Sequence, residues 1–309
     1  MSETISELLR GAIATRVLGV VAELGVADAL AAGPRSAQEI ADEVGADPKV
    51  LERFLRALSS EGVFTETTVG IFENTVPSEL LARGKPWSAF AQLYAGVWHR
   101  VAGRLDASGR RAVDSDFWTW LAEHPHERSL FDLAMAEGKE RRIERLERAA
   151  WSGDETVVDV GGDNGSLLVA LLARRPGLRG IVYDLPETVR DEAALSHAGI
   201  EFEPGSFFER VPSADVYVLG TVLHNWPGEE AASILRTIRS HAPAGARVLI
   251  LDLVIDPQNA APGILWFDLL GLALFGAHER TEPEWRTLLA DAGLEIDAVH
   301  DGLIEARCP

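Results

Sequence analysis

Between Thr156 and Asp252 short, strongly apolar runs recur at intervals. They are Thr156-Val157-Val158-Asp159-Val160, Ile181-Val182-Tyr183-Asp184-Leu185, Ile200-Glu201-Phe202-Glu203, Val216-Tyr217-Val218-Leu219 and Val248-Leu249-Ile250-Leu251-Asp252. Stretches with helical spacing separate them, such as Leu167 to Ala173. Strands that are apolar at nearly every position must be covered on both faces, which is the situation of a parallel sheet between layers of helices. The second half of the chain is therefore predicted to be an open, doubly wound α/β sheet. Thr281-Glu282-Pro283-Glu284 reads as the cap of a late helix, with Thr as N-cap, Glu three residues on and Pro in the first turn. Glu295 to Val299 and Leu303 to Arg307 can close the sheet as an antiparallel hairpin. Such sheets bind ligands beyond the carboxyl ends of their strands, so residues placed there are the first candidates for chemistry.

The pattern before residue 150 is helical. Ser36 with Glu39 predicts a capping box, and Asp47-Pro48 opens a second helix with Leu51, Phe54, Leu55 and Leu58 on one face. Gly62 to Glu66 and Gly70 to Phe72 then read as two short strands about a turn, which completes a winged-helix pattern. Residues 113–150 read as connecting helices, and the charged run Glu137 to Arg142 as a solvated helix face. The division expected is 1–100, 101–150 and 151–309.

Charge restricts what the helical part can do. Over Met1–Arg100 acids outnumber bases 13 to 9, and the whole chain carries a formal charge of −19. Duplex DNA and anionic membranes both demand a basic footprint, so neither is an expected partner. The most apolar long window, Gly263 to Ala277, is short for a bilayer and contains Asp268. Cys308 is the one cysteine, which excludes an internal disulfide and a Cys-rich metal site. No H-x-x-x-H or H-E-x-x-H is present, and no metal is expected. Met1 to Thr4 leads into an acidic amphipathic stretch and not into a basic, apolar leader. The expectation is a soluble, cytoplasmic protein that handles small molecules.

Two features stand at strand ends. Asp159-Val160-Gly161-Gly162-Asp163-Asn164-Gly165 links the first run to its helix, where glycines let the backbone approach a ligand. It fails G-x-G-x-x-G twice, at Asp163 and Ser166, and no P-loop is present. Asp184 ends the next strand, where a carboxylate can accept hydrogen bonds from ribose hydroxyls, although an Asp before Pro186 also suits a helix cap. His224, in Leu223-His224-Asn225-Trp226, leaves the fourth strand at its carboxyl end and so lies over the same crevice. Position by itself fits a structural His more often than a base, and His99 and His278 are the rivals.

Taken in order, DVGGxxG, Asp184-Leu185-Pro186, Gly205-Ser206-Phe207-Phe208, LHNW and His278-Glu279-Arg280-Thr281 resemble the small-molecule O-methyltransferases of the acetylserotonin/caffeate type. GSFF, and Gly220 four residues before His224, are similar to the bacterial enzymes that methylate aromatic polyketides, anthracyclines among them. The resemblance covers nearly the whole chain. It implies a Rossmann-like catalytic sheet preceded by a helical, winged-helix dimerisation domain, S-adenosylmethionine (SAM) as methyl donor with S-adenosylhomocysteine as product, and a homodimer. It implies His224 as general base, with Asp252 and Glu279 orienting it. Asp159, Gly161, Gly162, Gly165, Asp184 and Leu185 would form the cofactor site, with Ser206 and Phe207 flanking the adenine. Asn225, Trp266, Phe267 and Asp268 would border the acceptor, together with Trp98, Phe131 and Met135 from the helical part.

Asp163 departs from the family pattern, replacing the middle glycine of the turn. A carboxylate there could repel the carboxylate of SAM or attract its ammonium or sulfonium. It keeps a second reading open: an enzyme on the same scaffold that hydroxylates, decarboxylates or rearranges a similar substrate, with SAM unreactive or absent.

Overall fold

The computed structural model describes residues 3–107, 117–188, 192–300 and 302–309. The chain divides into two units. One gathers Met1–Arg104 with Phe117–Glu137, and the other is built chiefly from Gly138–Pro309. The stretch expected as connecting helices is thus shared between them, and its first residues, 113–116, lie outside the described ones.

In the first unit the capping box forms as its sequence requires. The Ser36 side chain accepts the Glu39 amide and the Glu39 carboxylate accepts the Ser36 amide, opening the helix Ala37–Val44. Asp47 caps the helix Pro48–Ser60, whose Leu51, Leu55 and Leu58 are buried. A three-stranded antiparallel sheet follows, with β1 (Arg35–Ser36), β2 (Phe64–Thr68) and β3 (Ile71–Asn74) in the order β1-β3-β2. The two wing strands are present, and β1 was not anticipated because two residues carry no periodicity. The long helix Glu3–Leu24 packs on Pro86–Ala95 so closely that a Cβ on Gly19 would lie 2.2 Å from the Ala95 Cβ.

The second unit contains β4 (Thr156–Val160), β5 (Arg179–Asp184), β6 (Ile200–Pro204), β7 (Val216–Gly220), β8 (Arg247–Leu251), β9 (Glu295–His300) and β10 (Leu303–Arg307). They form one sheet in the order β6-β5-β4-β7-β8-β10-β9. β4 to β8 are parallel, and β10 closes the edge antiparallel to β8 and β9. The period-2 alternation sends Val158, Tyr217 and Ile250 into one buried cluster and Val157, Val216 and Leu249 into the other, so both faces are covered. β5 stops at Asp184 because the Leu185 amide turns to the Asp184 carboxylate, 2.6 Å away, and Asp252 stands one residue past β8.

The sheet order reverses between β4 and β7. The chain runs outward from β4 through β5 to β6, then returns to lay β7 on the other side of β4. The segments that leave β4 and β7 are therefore neighbours at the switch point.

Candidate active site

His224 sits in a short 3₁₀ turn, Leu223–Asn225, just beyond β7. Its Nδ1 lies 2.7 Å from Glu279 Oε1. A carboxylate only accepts, so Nδ1 carries the proton and Nε2 is left as the basic nitrogen of the neutral ring. The ring stacks on Phe267, with centroids 6.3 Å apart. Glu279 is held in turn, its amide donating to Asp268 Oδ1 at 2.6 Å. Asp252 is 2% exposed, and neither of its carboxylate oxygens is in good hydrogen-bond geometry with a partner among the described residues. Burial pushes the Asp252 pKa up to about 6, with His224 opposing and Glu279 adding to the rise. For His224 burial pushes downward, but the Asp252 charge and the Glu279 hydrogen bond outweigh it, and its pKa is raised. The arrangement makes a stronger base than a free imidazole and stabilises the imidazolium it becomes.

The turn is fixed from below by Thr221, at φ +59°. A β-branched residue rarely adopts this left-handed conformation. Here the Thr221 amide donates to Leu251 O, its carbonyl accepts Asn225 Nδ2 at 3.1 Å, and its hydroxyl donates to Gly220 O at 2.6 Å. Asn225, expected at the acceptor, spends its amide on this local bond. His278 is exposed and lies 3.6 Å from Glu284, and His99 is exposed in the first unit.

The glycine turn after β4 lies against this segment. A Cβ on Gly161, at φ +71°, would sit 3.0 Å from a Val222 methyl and 3.5 Å from the Phe207 ring, so glycine is required twice over. Asp163 takes the left-handed conformation at φ +49°, and its amide donates to Asp184 Oδ2 at 2.9 Å. Asp184 also accepts the Leu185 amide. Backbone donors thereby fix the carboxylate's orientation. Tyr183 Oη donates to Ser206 O, and the Gly205 amide donates to Asp184 O, which tie the Gly205-Ser206-Phe207 segment to the end of β5. Asp159 is buried beneath Gly162, and its Oδ2 has no hydrogen-bond partner among the described residues. Burial, with Asp184 adding and Arg142 opposing, pushes its pKa up to about 7.

The sequence-predicted residues of the second unit thus gather at the carboxyl ends of β4, β5, β7 and β8. Trp266 is on the helix Pro262–Phe275 with Phe267 and Asp268, and is 60% exposed. Trp98, Phe131 and Met135 belong to the first unit. Trp98 is buried edge-on to Tyr94, and Phe131 packs on Phe117 and Trp118. In the sequence Thr221 was given no role, and Arg280 entered only as part of the His278-to-Thr281 motif. Strain at Thr221 has no sequence signature, whereas an Arg directly after a motif Glu is a signal that can be read.

Residues 94–295 match the O-methyltransferase domain family, and residues 6–84 the O-methyltransferase dimerisation domain. The mitomycin biosynthesis 6-O-methyltransferase of Streptomyces lavendulae is 37% identical over 96% of this chain and 89% of its own. The structure of the mitomycin 7-O-methyltransferase superposes with a TM-score of 0.90 at 33% identity, covering 99% of this chain and 97% of the other. An O-methyltransferase from neocarzinostatin biosynthesis, solved with S-adenosylhomocysteine and 1,4-dihydroxy-2-naphthoic acid, superposes with a TM-score of 0.80 at 31% identity over 96% of both chains.

Proposed function

The chain belongs to the SAM-dependent O-methyltransferase family, and on that premise we propose that it methylates a hydroxyl group of a small aromatic natural-product intermediate, with His224 as general base. The observation that carries this reading is the 2.7 Å contact between His224 and Glu279, with Asp252 influencing the same ring at the switch point of the sheet.

The residues around the glycine turn fit SAM. Asp184 is the acid read to hold the ribose, and its carboxylate is oriented by the Asp163 amide; Ser206, read with Phe207 to flank the adenine, is tied to the end of β5; and Asp159 is a buried acid that suits the cationic amino acid portion. Bound there, SAM supplies an electrophilic methyl group on a good leaving group. The chain's own task is then to align the partners and remove a proton.

A phenol of pKa ~10 facing an imidazole of pKa ~6.5 leaves a gap worth roughly 5 kcal/mol. Raising the His224 pKa narrows that gap, which is the work of Asp252 and Glu279. A carboxylic acid acceptor needs little of this help. The neocarzinostatin relative was solved with a dihydroxynaphthoic acid, which supports a flat phenolic acceptor for this chain as well. On the helix Glu3–Leu24 the side chains Ile5, Leu8, Leu9 and Ile13 form an exposed apolar stripe, which supports a homodimer; sedimentation of the purified protein decides it.

Calorimetric titration with SAM and S-adenosylhomocysteine comes first. Binding of both is expected, and binding of neither by folded protein moves the reading to a SAM-independent reaction. His224→Ala is then expected to lose phenol methylation by about 10²–10⁴-fold while SAM binding is kept. Full phenol methylation by that variant would remove His224 as the base.

A further inference from the structure

Arg280 is 2% exposed and is the only cation that bridges the two ends of the His224 turn among the described residues. One guanidinium nitrogen donates to Leu223 O at 2.8 Å and the other to Trp226 O at 2.7 Å, so the carbonyls on either side of His224-Asn225 are held by a single planar group. The guanidinium lies over the Trp285 ring, 5.2 Å from its centroid. Its backbone is anchored as well. Arg280 bridges to Val254, and its carbonyl accepts the Ile255 amide at 2.9 Å, just beyond Asp252. The next residue, Thr281, opens a capped helix. The neighbouring residue on the other side is Glu279, which holds His224 Nδ1.

One residue therefore fixes the base's backbone through its side chain and the base's carboxylate partner through its peptide bond. We propose that Arg280 is a positioning residue for His224, keeping the turn and Glu279 in register so that the imidazole stays against its carboxylate with Nε2 presented for proton transfer. This rests on the reading of His224 as the base. A rigid planar donor pair is needed for two carbonyls, and lysine, a single point donor, does not replace it.

The same placement gives Arg280 an electrostatic part. The charged groups facing it are Asp252 beyond β8, its neighbour Glu279, and Glu284 on the following helix, where the Thr281 cap holds it; His224 faces it from the turn. The Arg280 charge lowers the His224 pKa against the pull of the two acids. Base placement and base strength thus separate in two substitutions.

Arg280→Lys keeps the charge and loses the two-carbonyl grip. The expected result is a fall in kcat of about 10–10²-fold, as small misplacements of a reacting group produce, with the acid limb of the pH profile moved to lower pH as the Glu279 hydrogen bond to His224 loosens. Arg280→Met loses both, and the loss of its charge is expected to set its acid limb at higher pH than that of Arg280→Lys. SAM affinity by calorimetry is expected to stay at the wild-type value in Arg280→Lys, because the cofactor residues do not touch Arg280. The Nδ1 proton resonance of His224, followed by NMR without any substrate, is expected to lose its strongly hydrogen-bonded position in both variants. Wild-type kcat and an unshifted His224 resonance in Arg280→Lys overturn the proposal. So does a loss of kcat that only parallels a loss of SAM binding and of folded protein, which is what a merely structural residue gives. His224→Ala is measured alongside: if it retains phenol methylation, the base reading has failed, and if it is inactive while Arg280→Lys matches wild type, only the positioning role has failed.

Discussion

Asp159 and Asp252 stand at the carboxyl ends of two parallel strands, each 2% exposed and each with an oxygen that has no well-formed hydrogen bond among the described residues. Burial is the largest influence on both, yet Asp159 is pushed up to about 7 and Asp252 only to about 6. Their neighbours make the difference. Asp252 has His224 and Arg280 lowering its pKa against Glu279, whereas Asp159 has Arg142 lowering its pKa against Asp184 and Asp163. Near neutral pH the acid beside His224 therefore keeps its charge more readily than the acid by the glycine turn. Burial sets the cost of each charge, and the count of nearby cations decides whether the charge is kept. Asp252 stands where its charge can stabilise an imidazolium at His224, whereas Asp159 has Arg142 set against two acids.

The largest effect that can break this comparison is catalytic. Asp252→Asn and Glu279→Gln each remove an influence that raises the His224 pKa. The kcat for a phenolic acceptor is expected to fall by about 10–10²-fold, a fraction of the general-base contribution. The acid limb of kcat/KM is expected to move to lower pH, because less alkaline conditions then suffice to leave the imidazole neutral. A pH–rate profile with the limb unmoved would break the assignment of Asp252 to the base.

Stability gives the next effect. A raised carboxyl pKa means that the folded chain binds a proton the unfolded chain has already lost. Stability therefore falls as pH rises from about 4, the unfolded value, to the folded pKa, and the penalty is complete above it. Asp159→Asn is expected to be more stable than wild type at pH 8, by on the order of 1–3 kcal/mol. That gain closes as pH falls from about 7 toward about 4. For Asp252→Asn the corresponding gain is complete by about pH 6. Urea unfolding of the variants between pH 4 and 8 measures both windows, and coincident windows would mean that the local cations do not separate the two sites.

The sheet was legible in the sequence because strands buried on both faces leave no polar positions to blur them, and β4 and β10 run as expected. The capping boxes at Ser36 and Thr281 were legible because each is a local, reciprocal pattern. His224, Asp252 and Glu279 could be named through the resemblance, but not their contact, since Glu279 arrives on a loop 55 residues further along the chain. Thr221 was invisible. Its left-handed backbone is imposed by Leu251 and Asn225, and nothing in a threonine announces it. Asn225 could be named through its motif position, but not its amide's bond to Thr221 O.

Asp163 yields the smallest effect and the finest test of the comparison. Two properties are combined in it, a left-handed backbone at φ +49° and a charge that raises the Asp159 pKa. Asp tolerates that conformation better than most residues, and glycine, which relieves it fully, costs more entropy on folding. Asp163→Gly is therefore expected to gain less than about 1 kcal/mol, or a rise in Tm of no more than about 3 °C. Asp163→Asn keeps the tolerance for the left-handed region and removes only the charge. Both variants are expected to move the Asp159 stability window to lower pH, toward that of Asp252. If Asp163→Gly shifts the window and Asp163→Asn does not, the backbone of the turn and not the charge separates the two acids, and the contrast between the pockets would have to be rebuilt on the amide that Asp163 donates to Asp184.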